Sequence, residues 1–314
     1  MAQSGTDIEK ATALLLGGEL VAIPTETVYG LAGNALNLAS VTKIFEVKGR
    51  PQFDPLIVHV PDFESADLYA INIPEEAKLL AKHFWPGPLT LLLPKKNIVP
   101  DLVTSGLDSV GLRCPRHPLT NQLLRALPFP LAAPSANPFG YISPTRPEHV
   151  EDQLGNKIAY ILDGGPCNIG VESTILGFEN AKPVIYRLGG ITQEEIESVV
   201  GKVNARTHST SNPKTPGQLQ SHYAPRKKLI LGDLKELIPK YASQDSGILS
   251  FKEDFDSPFQ FILSPNGQLS EAAQNLFSAL RTLDKMPVDV ILAELVPDVG
   301  LGKAINDRLR RASG

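Results

Sequence analysis

Leu20-Val21-Ala22-Ile23-Pro24-Thr25-Glu26-Thr27-Val28-Tyr29-Gly30 is the stretch on which the fold turns. Its first four residues are apolar and partly β-branched, which predicts a short strand. Pro24 has no amide hydrogen with which to continue a central ladder, so the polar residues after it form a loop at the strand's end. In α/β sheets ligands gather at strand ends, and this loop carries three polar side chains before Tyr29-Gly30. Read alone, it is equally an ordinary hydroxyl-capped turn.

Working outward, Thr6 or Asp7 caps a helix with Ile8, Ala11, Leu14 and Leu15 on one face, ending at Gly17-Gly18. Downstream, the pattern predicts helices over 41–48, 74–84 and 120–126, and strands over 56–60, 89–93, 110–113 and 131–133. Interleaved helices and strands indicate α/β architecture. The irregular connection from Pro94 to Gly111 argues for a twisted mixed sheet with flanking helices rather than serial βαβ units. Apolar periodicity stops between about Lys202 and Arg226, where Thr, Ser, Asn, Pro, Lys and His dominate, and this reads as a linker. It then restarts as strand 228–231, helix 234–241, strands 247–251 and 259–263, helix 270–283, strand 288–294 and a last helix to Arg310. The helix 270–283 is expected to bury one face on its own sheet. The domains expected are 1–204, a linker at 205–227, and a small α/β unit at 228–314.

With 314 residues, 42% hydrophobic and 20% charged, the chain can bury ordinary cores in two units and is not of disordered composition. No run reaches the ~18 to 20 apolar residues of a membrane span. The start, Met1-Ala2-Gln3-Ser4-Gly5, lacks the basic and apolar regions of a signal peptide. Two cysteines, Cys114 and Cys167, are too few for a disulfide framework or a thiolate zinc site. A cytosolic protein is expected, and the net charge of −4 does not favour general binding to nucleic acid.

Several clusters carry chemistry. Lys48-Gly49-Arg50 closes a helix, where its two cations can converge on an anion if the glycine folds the backbone back; the alternative is a helix end complemented by charge. His59 lies inside a strand, where a core histidine is the simpler reading. Arg113 interrupts an apolar strand and needs an anion, either a ligand carboxylate bound in bidentate fashion or a structural partner. Ala132-Ala133-Pro134-Ser135-Ala136-Asn137-Pro138 offers a hydroxyl and an amide among small residues. It lacks the glycines of a nucleophile elbow, and no histidine follows at a spacing that suggests a triad. Ser143-Pro144-Thr145, Glu172-Ser173-Thr174 and Tyr186-Arg187 add hydroxyls and another strand-end arginine. No phosphate loop, dinucleotide glycine motif or paired-histidine metal motif is present.

Together these segments resemble the threonylcarbamoyl-AMP synthase family, with its YrdC-like domain over about residues 8 to 200. Lys48 and Arg50 with Ser135 and Asn137 match the family signature. Residues 216–225 and the tail look like the two-domain form, whose last unit is Rossmann-like. The resemblance implies a nucleotidyltransferase that forms threonylcarbamoyl-AMP and pyrophosphate from L-threonine, bicarbonate and ATP with Mg²⁺, the metal being held by the ATP phosphates. The product goes to a tRNA threonylcarbamoyl transferase complex for N6-threonylcarbamoyladenosine modification of tRNAs reading ANN codons, and weak tRNA binding is a further expectation. By the same resemblance Thr27, His59, Arg113, Ala133 and Ser173 form the threonine pocket. Arg50, Asp54, Ser109, Ser135, Ser143, Arg187 and Tyr223 line the ATP site. Lys48, Arg50, Ser135 and Asn137 are the catalytic set. Position 54 is Asp where family members often have Asn, and an ionised carboxylate repels phosphate unless Mg²⁺ intervenes. The linker serves as a lid, with 216–225 over the cleft, Tyr223 near the nucleotide and the last unit as anchor. The competing readings are an RNA-binding module and a carbamoyl-transfer domain of the hydrogenase-maturation type. The second lacks support from zinc-finger cysteines or an acylphosphatase-like region.

Overall fold

The computed structural model describes residues 2–206 and 223–314. Its first part is built on β1 (Gln3–Gly5), β2 (Val21–Ile23), β3 (Gly30–Asn34), β4 (Ile57–His59), β5 (Leu89–Pro94), β6 (Ser109–Arg113), β7 (Leu131–Ala132), β8 (Tyr160–Leu162), β9 (Thr174–Glu179), β10 (Lys182–Arg187) and β11 (Asn204–Ala205). They form one sheet in the order β1-β8-β2-β3-β7-β4-β6-β5-β9-β10-β11. The sheet holds both parallel pairs such as β4 with β6 and antiparallel ones such as β5 with β6, so it is mixed, as expected. One apolar layer gathers Leu31, Ile44, Phe45, Leu80, Leu91 and Leu112; another joins Leu15, Ile23, Leu123 and Tyr160.

Strand β3 is one of several elements that sequence reasoning did not anticipate, with β1, β8, β9 and β11 and the helices Pro147–Leu154 and Gln193–Val200. Gly30-Leu31-Ala32-Gly33-Asn34 has little intrinsic strand preference. It is held because β2 and β7 pair with it on either side and because its glycines allow close approach. A Cβ on Gly33 would lie 2.8 Å from Leu20 Cδ2 and 3.2 Å from Ile44 Cδ1. The helix Leu38–Lys48 therefore packs hard against β3.

That helix starts where Asn37 accepts hydrogen bonds from the amides of Ala39 and Ser40, and it stops at Gly49, whose φ of 61° is left-handed. The amides of Gly49 and Arg50 return to the carbonyls of Glu46 and Phe45. This is the fold-back that brings Lys48 and Arg50 to one region.

The second part has β12 (Lys228–Leu231), β13 (Ser246–Ser250), β14 (Gln260–Ile262) and β15 (Val290–Ala293), all parallel in the order β12-β15-β13-β14. Helices Leu234–Lys240, Leu269–Lys285 and Leu301–Ser313 accompany them. The helix Leu269–Lys285 corrects the single-face expectation. One side packs on its own sheet, while the side carrying Ser278, Arg281 and Asp284 docks on the first part. Ser278 Oγ lies 2.9 Å from Thr145 Oγ1, and the Tyr141 hydroxyl donates to Asp284 at 2.7 Å. Arg281 donates to the carbonyls of Ile142, Ser143 and His149. Polar residues that read as a solvent face are interface donors and acceptors. One apolar cluster accordingly spans both parts, joining Val28, Ile142 and Val171 to Phe277 and Leu280.

Candidate active site

In the loop after β2, Thr25 Oγ1 accepts from the amides of Thr27 and Val28 and donates to the Val28 carbonyl at 2.6 Å. This tight hydroxyl turn aims Glu26 and Thr27 at β6. There Arg113 Nη2 lies 2.9 Å from Glu26 Oε2 and donates to Thr27 Oγ1 at 2.9 Å. Arg113 thus has the structural partner that the sequence left open, and it also lines a narrow cleft. The parallel register of β4 and β6 sets His59 directly beside Arg113. His59 is buried, its Nδ1 has no hydrogen-bond partner, and burial followed by the Arg113 charge lowers its pKa to about 3. At neutral pH it is an uncharged acceptor facing the cleft.

Ala133, Ser135, Ser173, Arg50, Arg187 and Tyr223 line the same cleft, with Val28, Ile57 and Glu172. Ser173 Oγ bridges Thr90 Oγ1 at 2.8 Å and Arg187 Nη2 at 3.0 Å. Tyr223 has φ 67° and stacks on Phe277 with ring centroids 5.6 Å apart. Of the segment expected to form a lid, residues 207–222 fall outside those described.

A second layer stands behind the lining. Lys48 Nζ donates to the carbonyls of both Ser135 and Asn137 at 2.6 Å, while the Asn137 amide donates to the carbonyls of Pro138 and Tyr141. The two halves of the sequence signature therefore form one latch: the cation of the first holds the backbone of the second. Arg50 is braced by the carbonyls of Asp54 and Pro55, and its Nη2 lies 2.9 Å from Asp54 Oδ2. Asp54 is fully buried behind Arg50, so here it braces an arginine rather than lining the cleft. Ser143 likewise is buried and donates to Glu172 Oε1 at 2.7 Å. Ser109 is the residue not brought in. It sits at the opposite end of β6 from Arg113, along a wider depression with Leu92, Leu107, Asp108, Phe178 and Glu179. Among the described residues its lining has acids and apolar groups but no cations, and its Glu179 is already paired with Arg206, so the narrow cleft is the better anion site.

Burial pulls the pKa values of Lys48, Arg50 and Arg187 down and pushes that of Asp54 up. The geometry opposes these shifts by pairing. Lys48, Arg50, Arg113, Arg187 and Arg308 outnumber the carboxylates of Glu26, Asp54 and Glu172 around the cleft. An excess of buried cation at strand ends suits a polyanion together with a small carboxylate. Sequence reasoning missed Glu26, Val28, Ile57 and Glu172 as site residues, and Arg308 entirely.

Residues 13–189 match the Sua5, YciO and YrdC family, described as “Telomere recombination”, and residues 191–314 match “Threonylcarbamoyl-AMP synthase, C-terminal domain”. The threonylcarbamoyl-AMP synthase of Pyrococcus abyssi is 44% identical, with 98% of this chain and 94% of that protein covered. The chain belongs to the threonylcarbamoyl-AMP synthase family. The Bacillus subtilis synthase is 43% identical over 98% of this chain and 93% of its own length. The crystal structure of P. abyssi Sua5 complexed with L-threonine superposes with a TM-score of 0.94 at 42% identity, covering 100% of this chain and 97% of that one. The two-part architecture of this synthase is therefore that of a solved relative. Among its described residues no helix is long and apolar enough to cross a membrane.

Proposed function

We propose that this synthase condenses L-threonine, carbon dioxide from bicarbonate and the Mg²⁺ complex of ATP into threonylcarbamoyl-AMP, releasing pyrophosphate. The observation that carries the reading is the cleft in which Arg113 and the neutral His59 stand side by side while Arg50 and Arg187 line the same space. Threonine occupies the first side. Its carboxylate meets Arg113, its amine has His59 Nδ1 as an acceptor, and Ala133, Ser173 and Thr27 shape the pocket. The nucleotide occupies the second, against Arg50, Ser135, Arg187 and Tyr223, with Ser143 and Asp54 bracing from behind.

The amine attacks carbon dioxide, forming the C–N bond and losing a proton to water, because His59 is too weakly basic to keep it. A carbamate oxygen then attacks the α-phosphorus as the bond to the β-phosphate oxygen breaks. Arg50 and Arg187 meet the charge that develops on the phosphates. Lys48 fixes the loop that presents Ser135. Mg²⁺ enters with ATP, held by its phosphates, as part of the substrate. The product passes to a tRNA threonylcarbamoyl transferase complex in the cytoplasm. The division into residues 1–204, 205–227 and 228–314 belongs to the same proposal.

The test is pyrophosphate release from Mg²⁺ and ATP in bicarbonate buffer, with L-threonine, serine or no amino acid. Release that needs both threonine and bicarbonate supports the reading. Release indifferent to the amino acid, or salt-dependent tRNA binding without turnover, overturns it.

A further inference from the structure

The last helix, Leu301–Ser313, buries Ala304, Ile305, Arg308, Leu309 and Ala312. Arg308 is 0% exposed and reaches out of its own unit. Its Nε donates to Glu172 Oε2 at 3.0 Å, its Nη1 donates to Asp307 Oδ2 at 3.0 Å, and its Cζ lies 5.4 Å from the centre of the Tyr223 ring. Asp307 is shared with Arg311, which sits 3.0 Å away, so Asp307 is not committed to Arg308 alone. Nη2 of Arg308 has no hydrogen-bond partner among the described residues. A purely structural buried guanidinium is expected to have its fork filled.

Glu172 is the one carboxylate among the described residues that line the cleft. In a site for a triphosphate, a bare carboxylate opposes the ligand. Ser143 occupies one of its oxygens but leaves its charge intact; Arg308 occupies the other and cancels it. We propose that Arg308 is a positioning residue of the nucleotide site: the second unit neutralises and fixes Glu172, and holds Tyr223, so that the cleft lining meets a polyphosphate without an uncompensated carboxylate of its own. This rests on the nucleotide placement proposed above.

The test is the KM for ATP and for threonine in pyrophosphate release by the full chain. Arg308→Gln is expected to raise the ATP KM roughly tenfold or more, the effect of one uncompensated like charge a few ångströms from a buried anion, and to move the threonine KM by less than about threefold. Arg308→Lys, which keeps the charge but loses the fork and the ring contact, is expected to raise the ATP KM less than Arg308→Gln does, and a rise as large as that of Arg308→Gln overturns the proposal. Glu172→Gln combined with Arg308→Gln recovers most of the loss, which a role in domain docking alone does not predict. An unchanged ATP KM in Arg308→Gln, an equal rise in both KM values, or a double variant as impaired as the single overturns the proposal. If Arg308→Gln does not fold, Glu172→Gln and the double variant decide. Equal ATP KM values support the proposal, and a further rise in the double overturns it. Arg187→Gln in the same assay separates the premises. An unchanged ATP KM there removes the nucleotide placement itself, whereas a raised one with Arg308→Gln unaffected removes only the role of Arg308.

Discussion

The ammonium of Lys48 stands 2.6 Å from the carbonyl oxygen of Asn137, across 89 positions of sequence. It makes the same bond to Ser135, so one buried charge ties a helix end to the loop that presents a cleft hydroxyl. Lys48→Met is expected to lower kcat by about a hundredfold and stability by about 2 kcal/mol, because two charge-assisted bonds disappear and the buried Asn137 carbonyl loses this donor. Pyrophosphate release and calorimetry check it together. An unaltered melting temperature would show that the loop does not depend on this latch.

Acid weakens the fold through His59. Its folded pKa of about 3 lies below the ordinary 6.5, held down by burial and then by Arg113. Below pH 6.5 the unfolded chain binds a proton that the folded chain refuses, so this contribution is complete above 6.5 and is lost as pH falls toward 3. At pH 5 the loss is about 2 kcal/mol from this group. His149, lowered to about 3 by burial and then by Arg281, acts in the same direction. Urea midpoints at pH 7.5 and 5 should converge in His59→Gln relative to the parent; equal slopes in the two proteins contradict the assignment.

Gly189 is a steric keystone under the site. A Cβ there would fall 2.3 Å from the Glu172 carbonyl oxygen, 2.4 Å from Ser173 C and 2.5 Å from Thr174 N, all of them backbone. Gly189→Ala must displace residues 172–174, and it is expected to cost about 2 to 3 kcal/mol by overpacking while raising the KM values for both substrates. A folded Gly189→Ala with parental KM values would mean that the segment yields without disturbing the cleft.

Arg281 couples the two units. Burial lowers its pKa to about 10, and its guanidinium spans three carbonyls and the Gln153 side chain of the first unit. In Arg281→Gln the urea transition seen by the single tryptophan, Trp85 of the first unit, should separate from that seen by far-ultraviolet dichroism. The stability loss expected is about 2 to 4 kcal/mol. Coincident transitions at the parental midpoint would show that the interface does not rely on this residue.

What the amino-acid sequence reveals is what local chemistry determines. Strands such as Ile57–His59 and Leu89–Pro94 are apolar runs, and the turn at Gly49 is written into the residues that surround it. Strand Gly30–Asn34 is invisible because partners on both sides, not its own preferences, make it a strand. Arg113 and Arg187 are legible as cations at strand ends and Arg50 as one just past a helix end, whereas Asp54 and Ser143 stand one layer back because packing decides which side of a neighbour each occupies. Arg308 left a faint signal: it falls on the stripe of Ala304, Ile305 and Ala312 in its helix, where an apolar residue is expected. Next to Arg310 and Arg311 it reads as one more cation at a helix end.

The bond between Glu172 and Arg308 joins groups 136 positions apart. A ribosome adding ~5 to 20 residues per second needs on the order of ten seconds to travel between them. For that interval the nascent chain carries Glu172 without its Arg308 partner. On the role proposed for Arg308, the nucleotide site is completed only when the last helix emerges, after translation has passed both units.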